Sequence, residues 1–179
     1  LRHIPKPKQT FFFSATMPPP IEALTHEILR SPKKIALQRR GAPAKGVTQA
    51  AYPVPATLKG ALLVELLQAG HVDEALVFTR TKHRADRLAK LLNRHGITAE
   101  RIHGNRSQAQ RTKALDGFKA REFRVLVATD IAARGIDVEA LQHVVNFDVP
   151  EVPDDYIHRV GRTARGDAAG EAYTLAGPE

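Results

Sequence analysis

Short runs of consecutive apolar residues alternate with segments of helical periodicity over most of the chain. Ala85, Leu88 and Leu92 recur on one face of a predicted helix. Ser107 and Gln110 form a capping-box pattern at the start of another helix. Strands are predicted at residues 75–78, 99–103, 125–128, 143–147 and 172–175. Several of these strands are apolar on both faces, which predicts an α/β fold with a parallel sheet flanked by helices.

The first 46 residues have a different pattern. The apolar run at 11–13 predicts a buried strand, residues 21–29 predict a helix, and residues 35–37 predict another short strand. Residues 41–46 are small and basic and are interrupted by Gly and Pro, which is typical of a linker. The predicted divisions are residues 1–40, a linker at 41–46, and an α/β domain at 47–179.

Polar residues directly follow three of the predicted strands. Residues 79–81 follow the first, residues 103–105 the second, and Thr129 with Asp130 the third. Ligands of open α/β sheets bind outside the carboxyl ends of the strands. We therefore expect these polar groups to meet at one edge of the sheet.

The composition excludes several kinds of site. The 179 residues include no Cys, so disulfides, thiolate catalysis and Cys-ligated zinc are excluded. The eight His residues show no metal-ligand spacing, and we predict no metal ligands in this chain. No apolar run approaches the roughly 18 residues that a membrane span needs. We expect a soluble, cytoplasmic protein without a membrane partner.

Positive charge is concentrated in the middle of the chain. The net charge is +8, and residues 80–124 hold thirteen Lys and Arg against four Asp and Glu. Residues 125–179 are acidic, with four against ten. This distribution indicates a polyanionic partner, and a solvated basic face is the alternative.

The sequence of residues 156–166 places Arg159, Arg162 and Arg165 three positions apart. If this segment is helical, the three guanidinium groups lie on one face and repel one another. Phosphate groups would relieve that repulsion, because Arg binds them through a planar set of donors. The alternative is an ordinary solvated basic face.

Residues 128–137 leave the most apolar strand, form a short helix and turn at Gly135 toward Asp137. A carboxylate near a nucleotide site can accept hydrogen bonds from ribose hydroxyls. A Thr-Asp pair at the end of a strand, here Thr129 and Asp130, is also a common helix cap.

Taken together, these motifs resemble those of the DEAD-box ATP-dependent RNA helicases, in the family's order and spacing. The matches are motif III at residues 14–16, motif IV at 77–81, the Q-x-x-R element at Gln108 and Arg111, motif V at 128–137, and motif VI at 158–165. The segments 103–108 and 131–137 are most similar to the bacterial RhlE-type branch. Asn105 and Ala164 depart from the residues that many members carry, Asp and Gly.

The resemblance implies a RecA-like fold of the P-loop NTPase type. Residues 1–40 would be the end of a first RecA-like domain, and residues 47–179 the second. The implied cofactors are ATP and Mg²⁺, with the Mg²⁺ ligands in the rest of the first domain. The implied activity is ATP-driven unwinding of short RNA duplexes, and we expect the chain alone to be inactive.

The resemblance also implies roles for individual residues. The catalytic residues are Arg162 and Arg165, as arginine fingers, and His158; the ATP-binding residues are Gly135, Asp137, Arg162 and Arg165. The RNA-binding residues are Arg80, Gly104, Gln108, Arg111 and Thr129. The residues that couple the two sites are Ser14, Thr16, Asp130 and Arg159, with Asp130 as the partner that holds Arg159 in place.

The expected partners are RNA, bound through its backbone without sequence preference, and the first RecA-like domain of the same protein. Residues 1–40 could also pair with a second copy, giving a homodimer, because an exposed apolar strand is a template for pairing. One alternative function is a non-catalytic RNA- or protein-binding module on a RecA-like fold. Another is a translocase on double-stranded DNA, which the match to motifs V and VI disfavours.

Overall fold

The computed structural model describes residues 8–14, 17–36, 46–133, 136, 138, 141–164 and 169–177. The chain divides into two units, Leu1–Arg40 and Gly41–Glu179. Each unit is described by itself.

The second unit is built on a six-stranded, all-parallel sheet with the order β1-β6-β5-β2-β4-β3. The strands are β1 (Val47–Pro53), β2 (Ala75–Phe78), β3 (Ala99–Ile102), β4 (Val125–Ala128), β5 (His143–Asn146) and β6 (Gly170–Ala176). The helices of this unit, numbered after α1 (Pro19–Ile28) of the first unit, are α2 (Lys59–Gln68), α3 (Lys82–Arg94), α4 (Gln108–Lys119), α5 (Asp130–Ala133) and α6 (Pro153–Val160). The predicted fold class is confirmed.

Helices cover both faces of this sheet, which explains why its central strands are apolar throughout. In β2, Ala75 and Val77 pack into a core with α2 and α3, while Leu76 and Phe78 pack into a second core with α4 and α5. All four residues of β2 are buried. Each fully buried Val, Leu or Phe side chain contributes roughly 1.5–3 kcal/mol, so both helical layers stabilise the same strand.

The apolar pattern did not indicate β1 or α2. Strand β1 lies at the edge of the sheet, and its residues are exposed or only partly buried. Such a strand has no continuous apolar run. Helix α2 buries Leu63, Val64 and Leu67, but these residues belong to an apolar stretch that periodicity alone assigns to neither a helix nor a strand.

In the first unit, the helix predicted at 21–29 is confirmed as α1, which begins with Pro at its first positions. The strand predicted at 11–13 is wrong, since Phe11 and Phe13 are 69% and 89% exposed in irregular backbone. Residues 35–36 are not a strand either. A strand needs a hydrogen-bonding neighbour, and residues 8–14 and 17–36 contain no second strand that could pair with these segments.

No helix in the described ranges is both long and apolar enough to cross a bilayer.

Gly170 is the first residue of β6 and lies very close to the segment that follows α6. A Cβ atom at Gly170 would lie 1.8 Å from Thr163 Oγ1 and 2.8 Å from the Ala164 nitrogen. We expect Gly170→Ala to lower the free energy of unfolding by about 1–3 kcal/mol, the usual cost of overpacking. Urea denaturation measures this change.

The matched control is Gly104→Ala, because a Cβ atom at Gly104 would meet nothing within 4 Å. The free energy of unfolding of this variant should stay within about 0.5 kcal/mol of the parent value. Equal stabilities for the two Ala variants would show that Gly170 does not require the close approach to Thr163.

Candidate functional site

The parallel register brings the carboxyl ends of four neighbouring strands to one edge of the sheet. Across the order β5-β2-β4-β3, the residues that follow these ends include Asp148, Thr79, Thr129 and His103. Main-chain hydrogen bonds join the ends directly, from the Thr79 N–H to Ala128 O over 2.9 Å and from the Thr129 N–H to Ile102 O over 3.3 Å. The three polar clusters of the sequence therefore follow adjacent strands.

Arg159 is buried at this edge, with 2% of its surface exposed. Its Nε and Nη2 atoms donate to the two carboxylate oxygens of Asp130 over 2.6 and 2.8 Å. Its Nη1 atom donates to Asn146 Oδ1 over 3.1 Å and to the main-chain oxygen of Asp148 over 2.7 Å. The guanidinium carbon also lies 5.1 Å from the centre of the Phe78 ring. Buried charge of this kind is tolerated because it is paired and hydrogen-bonded.

Arg159 and Arg162 do not share one helical face. Helix α6 ends at Val160, and Gly161 caps it, so Arg162 follows the helix. Arg159 points into the sheet edge toward Asp130, which relieves the repulsion expected from the sequence. Arg165 lies outside the described residues.

Arg162 and His158 line a shallow cleft beside this buried pair. Arg162 is partly buried, and its Nη1 atom donates to Ile136 O over 3.1 Å. The segment is held by the Thr163 hydroxyl, which donates to Leu141 O. His158 is exposed. The cleft is lined by Phe78, Asp130, Ala133, Asp155, His158, Arg159 and Arg162.

Apart from Arg80, the residues assigned to RNA binding lie after the ends of β4 and β3 or in the first turns of α4. Thr129 is partly buried, whereas Gly104 and Gln108 are exposed. Ser107 caps α4 in a complete capping box with Gln110, as predicted. Arg111 lies one turn further along α4.

The Arg111 guanidinium spans from α4 to α5. Its Nη1 atom donates to Gln108 Oε1, and its Nη2 atom donates to Ala132 O, each over 3.4 Å. Its Nε atom is buried and has no hydrogen-bond partner in the described part of the chain. These long contacts leave the guanidinium well suited to a stronger acceptor such as a phosphate.

Arg80 is held at the end of β2 by its main chain and its side chain. Its N–H donates to Asp148 Oδ2 over 2.8 Å. Its guanidinium lies 3.4 Å from Val149 O and 3.7 Å from a Glu151 carboxylate oxygen. The same Asp148 carboxylate accepts a hydrogen bond from Arg84 Nη1, in the first turn of α3.

His103 orders the loop that follows β3. The imidazole is buried, with Nε2 3.2 Å from Asp86 Oδ1, and Nδ1 accepts the Asn105 N–H over 3.3 Å. Since Nδ1 is the acceptor, Nε2 carries the proton that faces Asp86. Arg101 Nε also donates to this carboxylate, over 3.0 Å. Burial tends to raise the pKa of Asp86, but the hydrogen bonds from His103 and Arg101 and the charge of Arg101 outweigh it and lower that pKa below its usual value.

Several predicted site residues cannot be placed at this edge. Thr16, Gly135, Asp137 and Arg165 lie outside the described residues. Ser14 is exposed and belongs to the first unit. In the described ranges, no three His, Asp or Glu residues are grouped as metal ligands.

The sequence analysis missed Asp148, Asn146 and Arg84. Asp148 follows β5 as the other polar clusters follow their strands, so the same reasoning could have found it. Asn146 interrupts an apolar strand, and its Nδ2 atom donates to Thr174 Oγ1 over 3.2 Å. Arg84 gave no signal, because one cation among many on a helix is ordinary.

Comparisons with known proteins identify the family. Residues 58–167 match the helicase conserved C-terminal domain. The DEAD-box protein SrmB of E. coli, solved bound to regulator of ribonuclease activity A, is 38% identical with a TM-score of 0.68, and the alignment covers 74% of this chain and 78% of that one. The chain belongs to the DEAD-box helicases. The predicted resemblance to this family is confirmed.

Other DEAD-box relatives cover almost the whole chain. The ATP-dependent RNA helicase CshA of Geobacillus kaustophilus is 41% identical over 99% of this chain and 38% of its own length. CshA of Bacillus subtilis is 42% identical over 99% of this chain and 36% of its own. S. cerevisiae Dbp5 bound to RNA and ADP BeF3 gives a TM-score of 0.84 at 28% identity, over 99% of this chain and 47% of that one. The assignment to the RhlE-type branch stays a prediction.

This DEAD-box chain therefore spans little more than a third of the length of its CshA relatives.

The lowered pKa of Asp86 predicts how stability depends on pH. A carboxyl group with a depressed pKa in the folded state stabilises the fold above its unfolded pKa, which is about 4. That contribution is lost as the pH falls through the lower, folded pKa. We expect Asp86→Asn to be less stable at pH 7 by at most about 1 kcal/mol, because the side chain is 36% exposed and screened by water.

Thermal unfolding of both proteins from pH 7 to pH 2.5 measures this dependence. The two stability curves should approach each other as the pH falls, because protonation of Asp86 removes the ionic contacts that distinguish it from Asn. A difference that stays constant over the whole range would contradict an ionised Asp86 paired with His103 and Arg101.

Proposed function

We propose that this chain is the second RecA-like half of an ATP-dependent RNA helicase. It supplies cationic groups to a nucleotide and main-chain and side-chain contacts to an RNA backbone, and the ATP hydrolysis drives the unwinding of short RNA duplexes. One observation carries the proposal. Strands β3, β4, β2 and β5 end at the same edge of the sheet, so the cleft beside Arg159 and the residues assigned to RNA binding share that edge. Residues 1–40 are the end of the first RecA-like domain, and residues 41–46 are the linker.

Arg159 and Arg162 have different roles in the nucleotide site. The charge of Arg159 is neutralised by Asp130 in a bidentate pair, so Arg159 shapes the cleft. Arg162 contacts a main-chain oxygen at the wall of the cleft, and its positive charge is available to the phosphates. Arg162, together with Arg165 by resemblance, acts as an arginine finger that stabilises the negative charge of the transition state.

The size of the cleft agrees with one half of a nucleotide site. It holds about 20 Å³, which is on the order of the space that one water molecule needs. ATP therefore requires a second wall, and the rest of the first RecA-like domain provides that wall together with the Mg²⁺ ligands. ATP supplies the phosphoryl group whose transfer to water drives the cycle. His158 lies at the exposed rim of the cleft. By resemblance, His158 couples the nucleotide site to motif III, and Gly135 and Asp137 bind the ribose.

The RNA backbone lies along the same edge. Arg80, Gly104, Gln108, Arg111 and Thr129 contact its phosphates and sugars. Contacts of this kind position a nucleic acid without reading its sequence. The Arg111 guanidinium supports this assignment, because its buried Nε atom and long hydrogen bonds favour a stronger acceptor.

The second candidate is a non-catalytic module that binds RNA or a protein. It is favoured by the similarity to the SrmB structure, in which a DEAD-box protein is bound to regulator of ribonuclease activity A. Turnover by the two-domain protein separates the candidates, since a binding module has none. A homodimer through residues 1–40 would appear as a doubled mass in light scattering.

Arg162→Ala tests the nucleotide half of the proposal in a protein that joins this chain to its first RecA-like domain. We expect kcat for RNA-stimulated ATP hydrolysis to fall by about 10³-fold or more, the range measured for arginine fingers. The melting temperature should hardly change, because a partly exposed Arg contributes little to stability. Turnover assays and thermal unfolding measure the two quantities.

Arg162→Lys is the matched control for charge. It should not restore kcat, because an ammonium group cannot reproduce the planar set of Arg donors. The chain alone should show no RNA-stimulated hydrolysis, since it lacks the second wall. Full turnover by the Lys variant, or by the chain alone, would contradict the assignment.

RNA affinity tests the other half of the proposal. We expect the chain to bind single-stranded RNA weakly, with an affinity that falls steeply as salt increases, because phosphate contacts release counterions. Arg111→Ala should weaken binding and reduce the salt slope by about one unit. Fluorescence anisotropy with labelled RNA of two unrelated sequences measures both effects.

Lys119→Ala is the control, since Lys119 lies in the last turn of α4, away from the strand ends. It removes the same charge as Arg111→Ala but should change the RNA affinity less than twofold. Equal losses for the two variants, or binding that does not depend on salt, would count against the proposed surface.

A further inference from the structure

The side chain of Asp148 is a buried carboxylate at the end of β5, with 0% of its surface exposed. Its Oδ2 atom accepts the Arg80 N–H over 2.8 Å, and its Oδ1 atom accepts a hydrogen bond from Arg84 Nη1. We propose that Asp148 is a positioning residue that holds the main chain of Arg80 and the guanidinium of Arg84 toward the RNA backbone, with Arg84 as a further RNA contact. This inference rests on the proposed function of the sheet edge.

The first support is the energetic requirement of a buried carboxylate. Removing such a charge from water costs several kcal/mol unless charged or polar donors surround it. Arg80 and Arg84 provide these donors from the loop after β2 and from the first turn of α3. The negative charge of Asp148 therefore fixes both donors, and with them the direction of the chain that leaves β2.

The second support is the position of Arg84. Its side chain is 37% exposed although one end contacts the buried carboxylate. An Arg carries five donors in a rigid plane, so the part that faces solvent stays oriented by the part bound to Asp148. The N-terminal end of α3 follows β2, between the ends of β5 and β4. A guanidinium fixed there in advance binds a phosphate with little loss of side-chain entropy.

Asp148 also contacts the nucleotide side of the edge, through its main chain. Its carbonyl oxygen accepts a hydrogen bond from Arg159 Nη1 over 2.7 Å, and its N–H donates to Phe78 O over 3.2 Å. A side-chain substitution retains both main-chain groups. The side chain therefore acts on the RNA contacts, while the main chain acts on Arg159.

Asp148→Asn in the two-domain protein tests the proposal, because Asn has nearly the same shape and cannot hold both donors as a carboxylate does. We expect the RNA concentration for half-maximal ATP hydrolysis to rise roughly tenfold, the effect of weakening a hydrogen bond to a charged group. The kcat at saturating RNA should stay within about twofold of the parent value, because the main chain at Arg159 is unchanged.

The direction of the change in RNA affinity distinguishes the proposed positioning role from an effect of net charge. The Asn substitution makes the chain more positive, so net charge alone would strengthen RNA binding. Arg84→Met should weaken RNA binding to a similar extent, and the double variant Asp148→Asn/Arg84→Met should be no weaker than the weaker single variant. Non-additivity of this kind is expected for residues that act through one contact.

Arg87→Met is the matched control. Arg87 follows Arg84 on α3, is exposed, and its Nε atom donates to His83 O over 3.4 Å. The Arg87→Met substitution removes the same charge as Arg84→Met. It should change the RNA concentration for half-maximal ATP hydrolysis less than twofold. Tighter or unchanged RNA binding in Asp148→Asn, additive single effects, or an equal loss in Arg87→Met would overturn the proposal. A fall in kcat without a change in the RNA requirement would do the same.

A second measurement separates this proposal from the proposed function. In the NMR spectrum of the chain without RNA, a carboxylate acceptor should hold the Arg80 amide proton at low field, and Asp148→Asn should move it upfield. If the parent protein binds no RNA, the proposed function fails even when this shift is observed. An unchanged Arg80 amide in a folded Asp148→Asn variant would reject the positioning role alone.

Discussion

The requirement to neutralise a buried guanidinium determines the arrangement of the sheet edge. Arg159 is 2% exposed, and a charge in that environment is stable only with good hydrogen-bond partners. Asp130, Asn146 and the main chain of Asp148 provide them from the first turn of α5, the end of β5 and the loop after it. One side chain of α6 therefore fixes how the ends of β4 and β5 lie relative to each other. The loss of Asp130 would leave this buried charge without its carboxylate.

Two carboxylate–guanidinium contacts, each with one buried partner, lie on the two sides of this edge. Asp130 binds Arg159 beside the cleft proposed for the nucleotide, and Asp148 binds Arg84 and the Arg80 main chain beside the track proposed for RNA. The two sides meet at Asp148, whose carbonyl oxygen contacts Arg159. The connection consists of hydrogen-bonded main chain at strand ends.

The sequence predicted the sheet well and the buried charges poorly, for a physical reason. A strand between two helical layers must be apolar on both faces, so β2 and β4 are visible as continuous runs. An edge strand such as β1 lacks this constraint. By its local pattern Arg159 is indistinguishable from an exposed cation, because its burial depends on Asp130, which is 29 residues away. Only the family resemblance indicated Asp130 as its partner. The strand predicted at 11–13 is wrong because its apolar residues have no strand partner in the described part of their unit.

The contacts also show that part of the positive charge between residues 80 and 124 is paired within the fold. Several of its cations bind acids or carbonyl oxygens of the fold: Arg101 with Asp86 and Glu100, Arg106 with Glu100, and Arg124 with Asp73 and Leu67 O. These groups stabilise loops between strands and helices, and their field is largely cancelled by their partners. The charge that can attract RNA from a distance therefore comes from a subset of the thirteen cations. Counterion release scales with the phosphates that a protein contacts, so the proposed RNA surface should give a salt slope well below the sequence charge.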